Sequence, residues 1–146
     1  MLKNTKFDFL HGFDSFEGLE EDWIGMEKGR AIGAYTKSKN LPKVMNNVRL
    51  HVGMVQDTLQ GFLKENTEPI ILAHMDMDTY TPGKFVLENI KSRLIEGSLI
   101  LFDDFYGYGG WRNHDFKSLN EVFKKNEYEI IAFGKYQSVI KIQSVY

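Results

Sequence analysis

Two apolar runs, residues 69–75 and 98–102, constrain this chain most, because each ends in acids and a helix-patterned stretch lies between them. Residues 69–75 are continuously apolar apart from one histidine, the composition of a strand covered on both faces. Thr81-Pro82 then predicts a helix start, with a capping threonine followed by proline at the first helical position. Val86, Ile90 and Leu94 recur on one helical face, and Gly97 stands where a helix would stop. Residues 98–102 read as a second buried strand. Strand, helix and strand in this order imply parallel pairing through a right-handed crossover.

The same alternation runs through most of the chain. Val48, Leu50 and Val52 alternate with polar residues, as in a strand, and Val55, Leu59, Phe62 and Leu63 follow at helical spacing. Phe116, Leu119, Val122 and Phe123 mark a further amphipathic helix. Residues 128–133 and 137–142 predict two strands, and the short link Gly134-Lys135-Tyr136 favours an antiparallel hairpin. Residues 7–13 predict a strand ending at Asp14-Ser15-Phe16-Glu17-Gly18. Residues 25–42, with four glycines or prolines and mixed charge, predict a long loop or irregular helix. With no internal repeat and no Pro/Ser-rich linker, residues 1–146 are expected to form a single α/β domain.

Composition narrows the function classes. An apolar fraction of 42% suits a globular protein, and a net charge of −2 from 18 basic and 20 acidic residues shows no basic stripe for nucleic acid or an anionic membrane. The absence of cysteine rules out disulfides and thiolate metal sites. Neither a spanning segment nor a signal-peptide core is evident, so the expected location is the cytoplasm.

Ligands of open α/β sheets sit beyond the carboxyl ends of the strands. Three predicted strands end there in acids: Asp14 after the first, Asp76 and Asp78 after the third, and Asp103 and Asp104 after the fourth. Hard divalent cations such as Mg²⁺ take oxygen ligands, commonly one or two carboxylates with water and substrate. Crowded acids repel one another, and a cation relieves that repulsion. Asp14 has a further reading, since a carboxylate ending the second strand of a nucleotide-binding fold accepts hydrogen bonds from ribose hydroxyls. His74, inside an apolar run, reads as a hydrogen-bonded core histidine. Trp111, Arg112 and His114 follow a glycine-rich stretch and read as a solvated loop.

The ordered set His11-Gly12-Phe13-Asp14-Ser15-Phe16-Glu17-Gly18-Leu19, Leu50 through Leu59, His74-Met75-Asp76-Met77-Asp78-Thr79-Tyr80 and Phe102-Asp103-Asp104-Phe105-Tyr106-Gly107-Tyr108 resembles the macrocin O-methyltransferase family. The resemblance implies a Rossmann-like class I methyltransferase sheet, with helices on both faces and a C-terminal antiparallel hairpin. It also implies S-adenosylmethionine and Mg²⁺ as cofactors, and a sugar-like small-molecule hydroxyl as acceptor. On it, Asp76, Asp103 and Asp104 match the metal-binding acids. Asp14 matches the ribose-binding acid with Ser15 beside it, and Gly53, Met54 and Gln56 match the turn bordering the adenine. The more distant catechol-type methyltransferases place a lysine base where this chain has Thr79. The base is then Asp76 itself or another group, with metal binding ranked as the first role of Asp76.

The fold so implied has a central first strand ending in a glycine-rich turn, between the strands that carry Asp14 and Asp76. Only twelve residues precede Phe13, so that strand is expected to be missing here. The chain is then a fragment, a subunit completed by another chain or a homo-oligomer, or an inactive methyltransferase-like module. Asp76-Met77-Asp78-Thr79 also fits the opening motif of haloacid-dehalogenase-like phosphatases, and Asp-x-Asp fits metal-dependent glycosyltransferases. The phosphatase fold needs a threonine or serine site and a lysine between Asp78 and Asp103, where only one helix and one strand are predicted, and the glycosyltransferase reading leaves residues 13–19 and Asp103-Asp104 unexplained.

Overall fold

The computed structural model describes residues 9–25, 31–37 and 40–144. The elements are β1 (Leu10–Asp14), β2 (Val48–Val52), α1 (Val55–Glu65), β3 (Ile70–Met75), α2 (Tyr80–Ile90), β4 (Leu94–Phe102), α3 (Asp115–Val122), β5 (Tyr128–Phe133) and β6 (Ser138–Ile142). Short 3-10 turns at Lys91–Arg93 and Trp111–Asn113 precede β4 and α3. The expected strand over residues 7–13 lies partly outside the described residues, and its described part continues to Asp14.

The strands form two sheets rather than one. β1 and β2 pair in parallel, and a separate four-stranded sheet runs in the order β3-β4-β6-β5. Within the larger sheet β3 and β4 are parallel, while β6 runs antiparallel to both β4 and β5. The expected C-terminal hairpin is present, closed by the Gly134 amide donating to the Gln137 carbonyl at 2.9 Å. Among the described residues no ladder joins β1 to β3, so each is an edge strand where the sequence placed a missing central one.

That gap overturns one expectation. β3 is not covered on both faces: Leu72 is 50% exposed, and the His74 side chain is 56% exposed, so His74 is not a core histidine. The core lies instead around β4 and β6. Ile100, Phe102, Ile140 and Ile142 are fully buried there, together with Leu87 of α2 and Leu119 of α3. The apolar spacing read in α3 includes Leu119, whereas Leu87 lies one residue beyond Val86 in the face read for α2.

Two local readings are corrected. Thr79, not Thr81, occupies the N-cap of α2, so Pro82 sits third in the helix, where its missing N–H is still harmless. Gly97 does not stop a helix. The chain has already entered β4 at Leu94, and Gly97 (φ +92°) lies where the β3–β4 register slips between Ile70↔Leu94 and Leu72↔Leu99. The Ser98 hydroxyl occupies this irregularity, accepting from the Ile95 amide (2.9 Å) and donating to the Ile70 carbonyl (2.7 Å). No helix among the described residues is long and apolar enough to cross a membrane.

Candidate active site

Both sheets direct their carboxyl ends toward one cavity of about 730 Å³. Asp14 and Ser15 line it from β1, Met54 and Val55 from the start of α1, Asp76 and Asp78 after β3, and Asp103 and Asp104 after β4. Acids far apart in sequence thus converge because parallel strands end on the same side.

Asp14 shapes its own turn. Its Oδ1 accepts from the Phe16 amide at 2.7 Å, and Phe16 takes a positive φ of 57°. Ser15 repeats the device, its hydroxyl accepting from the Glu17 amide at 3.1 Å. Two residues expected beside Met54 are placed differently: neither Gly53 nor Gln56 lines the cavity. Gly53 (φ +140°) continues the strand pairing through its amide to the Asp14 carbonyl, and the Gln56 amide donates to Glu20 at 2.7 Å.

The tightest group of acids is Asp76, Asp78 and Asp104, with one carboxylate oxygen from each within 4.8 Å of the others. Asp103 stands outside this trio. Its Oδ1 accepts from Gln137 at 3.4 Å and faces His74 Nε2 at 4.0 Å. The backbone explains why Asp78 joins. It has φ +60°, and the Thr79 amide donates back to the Met77 carbonyl at 2.6 Å, a γ-turn that brings acids two residues apart onto one side. Aspartate tolerates that conformation better than most residues, and such strain concentrates at functional sites.

Electrostatics follow from crowding. Burial, then the charge of Asp103, raises the Asp76 carboxyl above its ordinary value; His74 opposes the shift and Asp14 adds to it. Asp115, at the start of α3, is 1% exposed, and neither of its carboxyl oxygens has a hydrogen-bond partner among the described residues. Burial first, then Asp104 and Asp78, pushes its pKa well up. Tyr108 donates to the Asp104 carbonyl at 3.2 Å and accepts from the Trp23 indole at 3.4 Å; burial raises this phenol too.

Sequence reading missed the cover of the cavity. Phe16 and Trp23 are buried, and they line the cavity together with Leu19, Tyr35, Lys37 and Asn40. No apolar period marks this segment. Its clearest signal was Trp23, a large aromatic directly after the acidic run Glu20-Glu21-Asp22. Trp111 and His114, read as a solvated loop, are partly and fully buried, the His114 ring lying 3.0 Å from the Ile24 carbonyl.

A family model described as a methyltransferase domain matches residues 2–105. The chain belongs to the methyltransferase-domain family. Among solved structures it is similar to CalS11, a calicheamicin methyltransferase, at 21% identity and TM-score 0.74, over 91% of this chain and 60% of that one. An apo structure of CalS11, there described as a TDP-rhamnose 3'-O-methyltransferase, matches at 27% identity and TM-score 0.57, over 67% of this chain and 43% of that one. The O-methyltransferase NovP matches at 16% identity and TM-score 0.63, over 92% and 60%. These likenesses bear out the Rossmann-like methyltransferase fold. The chain spans about 60% of the length of the first of these structures. No curated protein sequence matches it.

Proposed function

We propose that this methyltransferase-family chain serves a cytoplasmic O-methyltransferase that uses S-adenosylmethionine and a divalent cation such as Mg²⁺, acting on a hydroxyl of a sugar or similar small molecule. The observation that carries this reading is the trio Asp76, Asp78 and Asp104, its oxygens within 4.8 Å of one another at a cavity that Asp14 and Ser15 also line. The trio fits a hard cation: its donors are all oxygen, they converge within 4.8 Å, and they line a cavity with space for an acceptor. Asp103, the residue before Asp104, raises the Asp76 pKa by its charge. The named relatives act as O-methyltransferases, one of them on a sugar nucleotide, which supports the acceptor class.

A bound cation would supply Lewis acidity toward an acceptor hydroxyl. S-adenosylmethionine would supply an electrophilic methyl group. The protein's own residues do the rest. Asp14 would accept hydrogen bonds from the ribose hydroxyls, and Met54, which lines the cavity, would border the adenine. Asp76, Asp78 and Asp104 would hold the cation, and a carboxylate oxygen of Asp76 would also take the hydroxyl proton. Trp23, Tyr108 and the segment above the cavity exclude water, and fixed orientation supplies much of the acceleration.

The unpaired edges of β1 and β3 favour a second reading, a methyltransferase-like module that needs one more strand from outside the described residues. Titration calorimetry with S-adenosylmethionine and Mg²⁺, followed by methyl transfer to a panel of sugars, tests the two. Heat from both ligands and turnover lost in Asp104→Asn support the enzyme. A folded chain that releases no heat until a strand-bearing partner is added supports the module.

A further inference from the structure

Residues 15–25 follow β1 and touch, in order, the segments that follow β2, β3 and β4. Glu20 accepts from Gln56 at the start of α1 (2.7 Å). Glu21 accepts from the Thr81 amide and the Thr81 hydroxyl at the start of α2, both at 2.8 Å. Trp23 donates to Tyr108 (3.4 Å), and Gly25 packs directly against the backbone of Gly109 and Gly110. The two sheets share no ladder, so this strap is a bridge between them at the cavity.

The contact of Glu21 is of a particular kind. A helix leaves its first amides without partners inside the helix, and its N-terminus favours a negative charge. α2 has no acid in its first turn and no side-chain cap of its own. The Thr79 hydroxyl turns to the Met77 carbonyl (3.4 Å), and Pro82 has no N–H to offer. The carboxylate that serves this helix end therefore comes from Glu21, 60 residues away in sequence. Immediately before that end lies the strained turn carrying Asp76 and Asp78. On the other side, Glu21 is six residues from Ser15.

We propose that Glu21 is a positioning residue that couples the two halves of the site: filling the cofactor side at Asp14 and Ser15 stiffens the acid-bearing turn at Asp76–Asp78, through the strap and its clamp on Thr81. This rests on the cofactor and cation reading above. Coupling between sites is reciprocal, so the cation should tighten the cofactor by the same factor. Glu21 touches neither cofactor nor acceptor in this role.

The test is Mn²⁺ binding to the full chain by electron paramagnetic resonance, with and without S-adenosylmethionine, and amide hydrogen exchange over residues 76–84. In the parent chain the cofactor should tighten Mn²⁺ and slow exchange in that segment. Glu21→Ala should weaken Mn²⁺ about fivefold, the scale of losing a helix cap, and abolish the cofactor's effect on both readouts. Thr81→Val keeps the amide donor and removes the hydroxyl, so it should lose the coupling in part; it serves as the test variant if Glu21→Ala does not fold. Folded variants with parental affinity and parental coupling overturn the clamp while leaving the proposed function standing. A parent chain that binds both ligands independently also overturns it. If the parent binds neither, the function reading fails and this inference falls with it.

Discussion

β4 and β6 bury Ile100, Phe102, Ile140 and Ile142 completely, whereas β1 and β2, which end at the same cavity, leave Leu10 61% and Val52 46% exposed. The larger sheet is held by a packed apolar layer shared with α2 and α3. The smaller one is held by two strands and a cluster of rings, with Phe13 stacked on His51 (4.4 Å) and Phe62 of α1 against both. The acids proposed to hold the cation therefore follow strands of the better-packed sheet, and Asp14, proposed to meet the cofactor, ends a strand of the thinner one. The edge that carries Asp14 continues directly into the strap of residues 15–25.

The largest effect should come from the packed half. Phe102 is fully buried and directly precedes Asp103. Phe102→Ala should cost about 3–5 kcal/mol, as large-to-small core changes do. Val52→Ala should stay within about 0.5 kcal/mol, as exposed positions do. Denaturant melts of the two variants measure this, and equal losses would break the contrast between the sheets.

Next come the acids proposed to hold the cation. Asp104→Asn should weaken Mn²⁺ on the order of 100-fold, about 2.8 kcal/mol, because it removes one of three converging charges. Asp14→Asn should leave Mn²⁺ nearly unchanged and weaken S-adenosylmethionine instead. Calorimetry separates the two. If both variants lose the same ligand, the two sides of the cavity are not distinct.

A smaller effect is expected at the strap. Gly110 has φ +79°, and a Cβ there would overlap the Ile24 carbonyl oxygen. Gly110→Ala should cost about 1–2 kcal/mol from the left-handed backbone alone. It should also lift Trp23 from Tyr108, so Trp fluorescence should shift red while the far-UV signal of the larger sheet persists.

Legibility in the sequence followed the same division. Regular alternation revealed β2 to β6 and the helices between them, because burial on a sheet or helix face imposes a period. The convergence of acids was readable for the same reason, since parallel strands end together. That Asp78 groups with Asp76 and Asp104 while Asp103 turns to Gln137 and His74 was not readable. It depends on the sign of φ at Asp78 and on Gln137 and His74 beside Asp103, neither of which leaves a local pattern. The strap was not readable either, for it is fixed by Glu20, Glu21 and Trp23 making single polar contacts at long range. His74 misled because an apolar run normally lies inside a sheet, and here the run forms an edge.

Acid should separate the two sheets by the pH at which each loosens. In the smaller one, burial first and the neighbouring His11 second lower the pKa of His51 below the ordinary 6.5, and the two rings lie 3.0 Å apart, Nδ1 to Nε2. The unfolded chain then binds protons at a pH where the folded chain resists them. The stability linked to His51 is thus complete above pH 6.5 and drains as pH falls below it. In the larger sheet's half, Lys91 donates to Glu127 at 2.7 Å, and that bond is the main cause lowering the Glu127 pKa below 4.5. That contribution is held until pH falls below 4.5. Asp76 and Asp115, raised by burial, act in the opposite sense, since protonation relieves them and acid favours the folded state there. Amide protection factors, with the intrinsic pH dependence of exchange divided out, should therefore fall in β1 and β2 from pH 7.5 to 5.5 while those of β4 and β6 hold, and His51→Gln should flatten the change in β1 and β2. An equal fall in both sheets would mean that the two halves open together, as one cooperative unit rather than two.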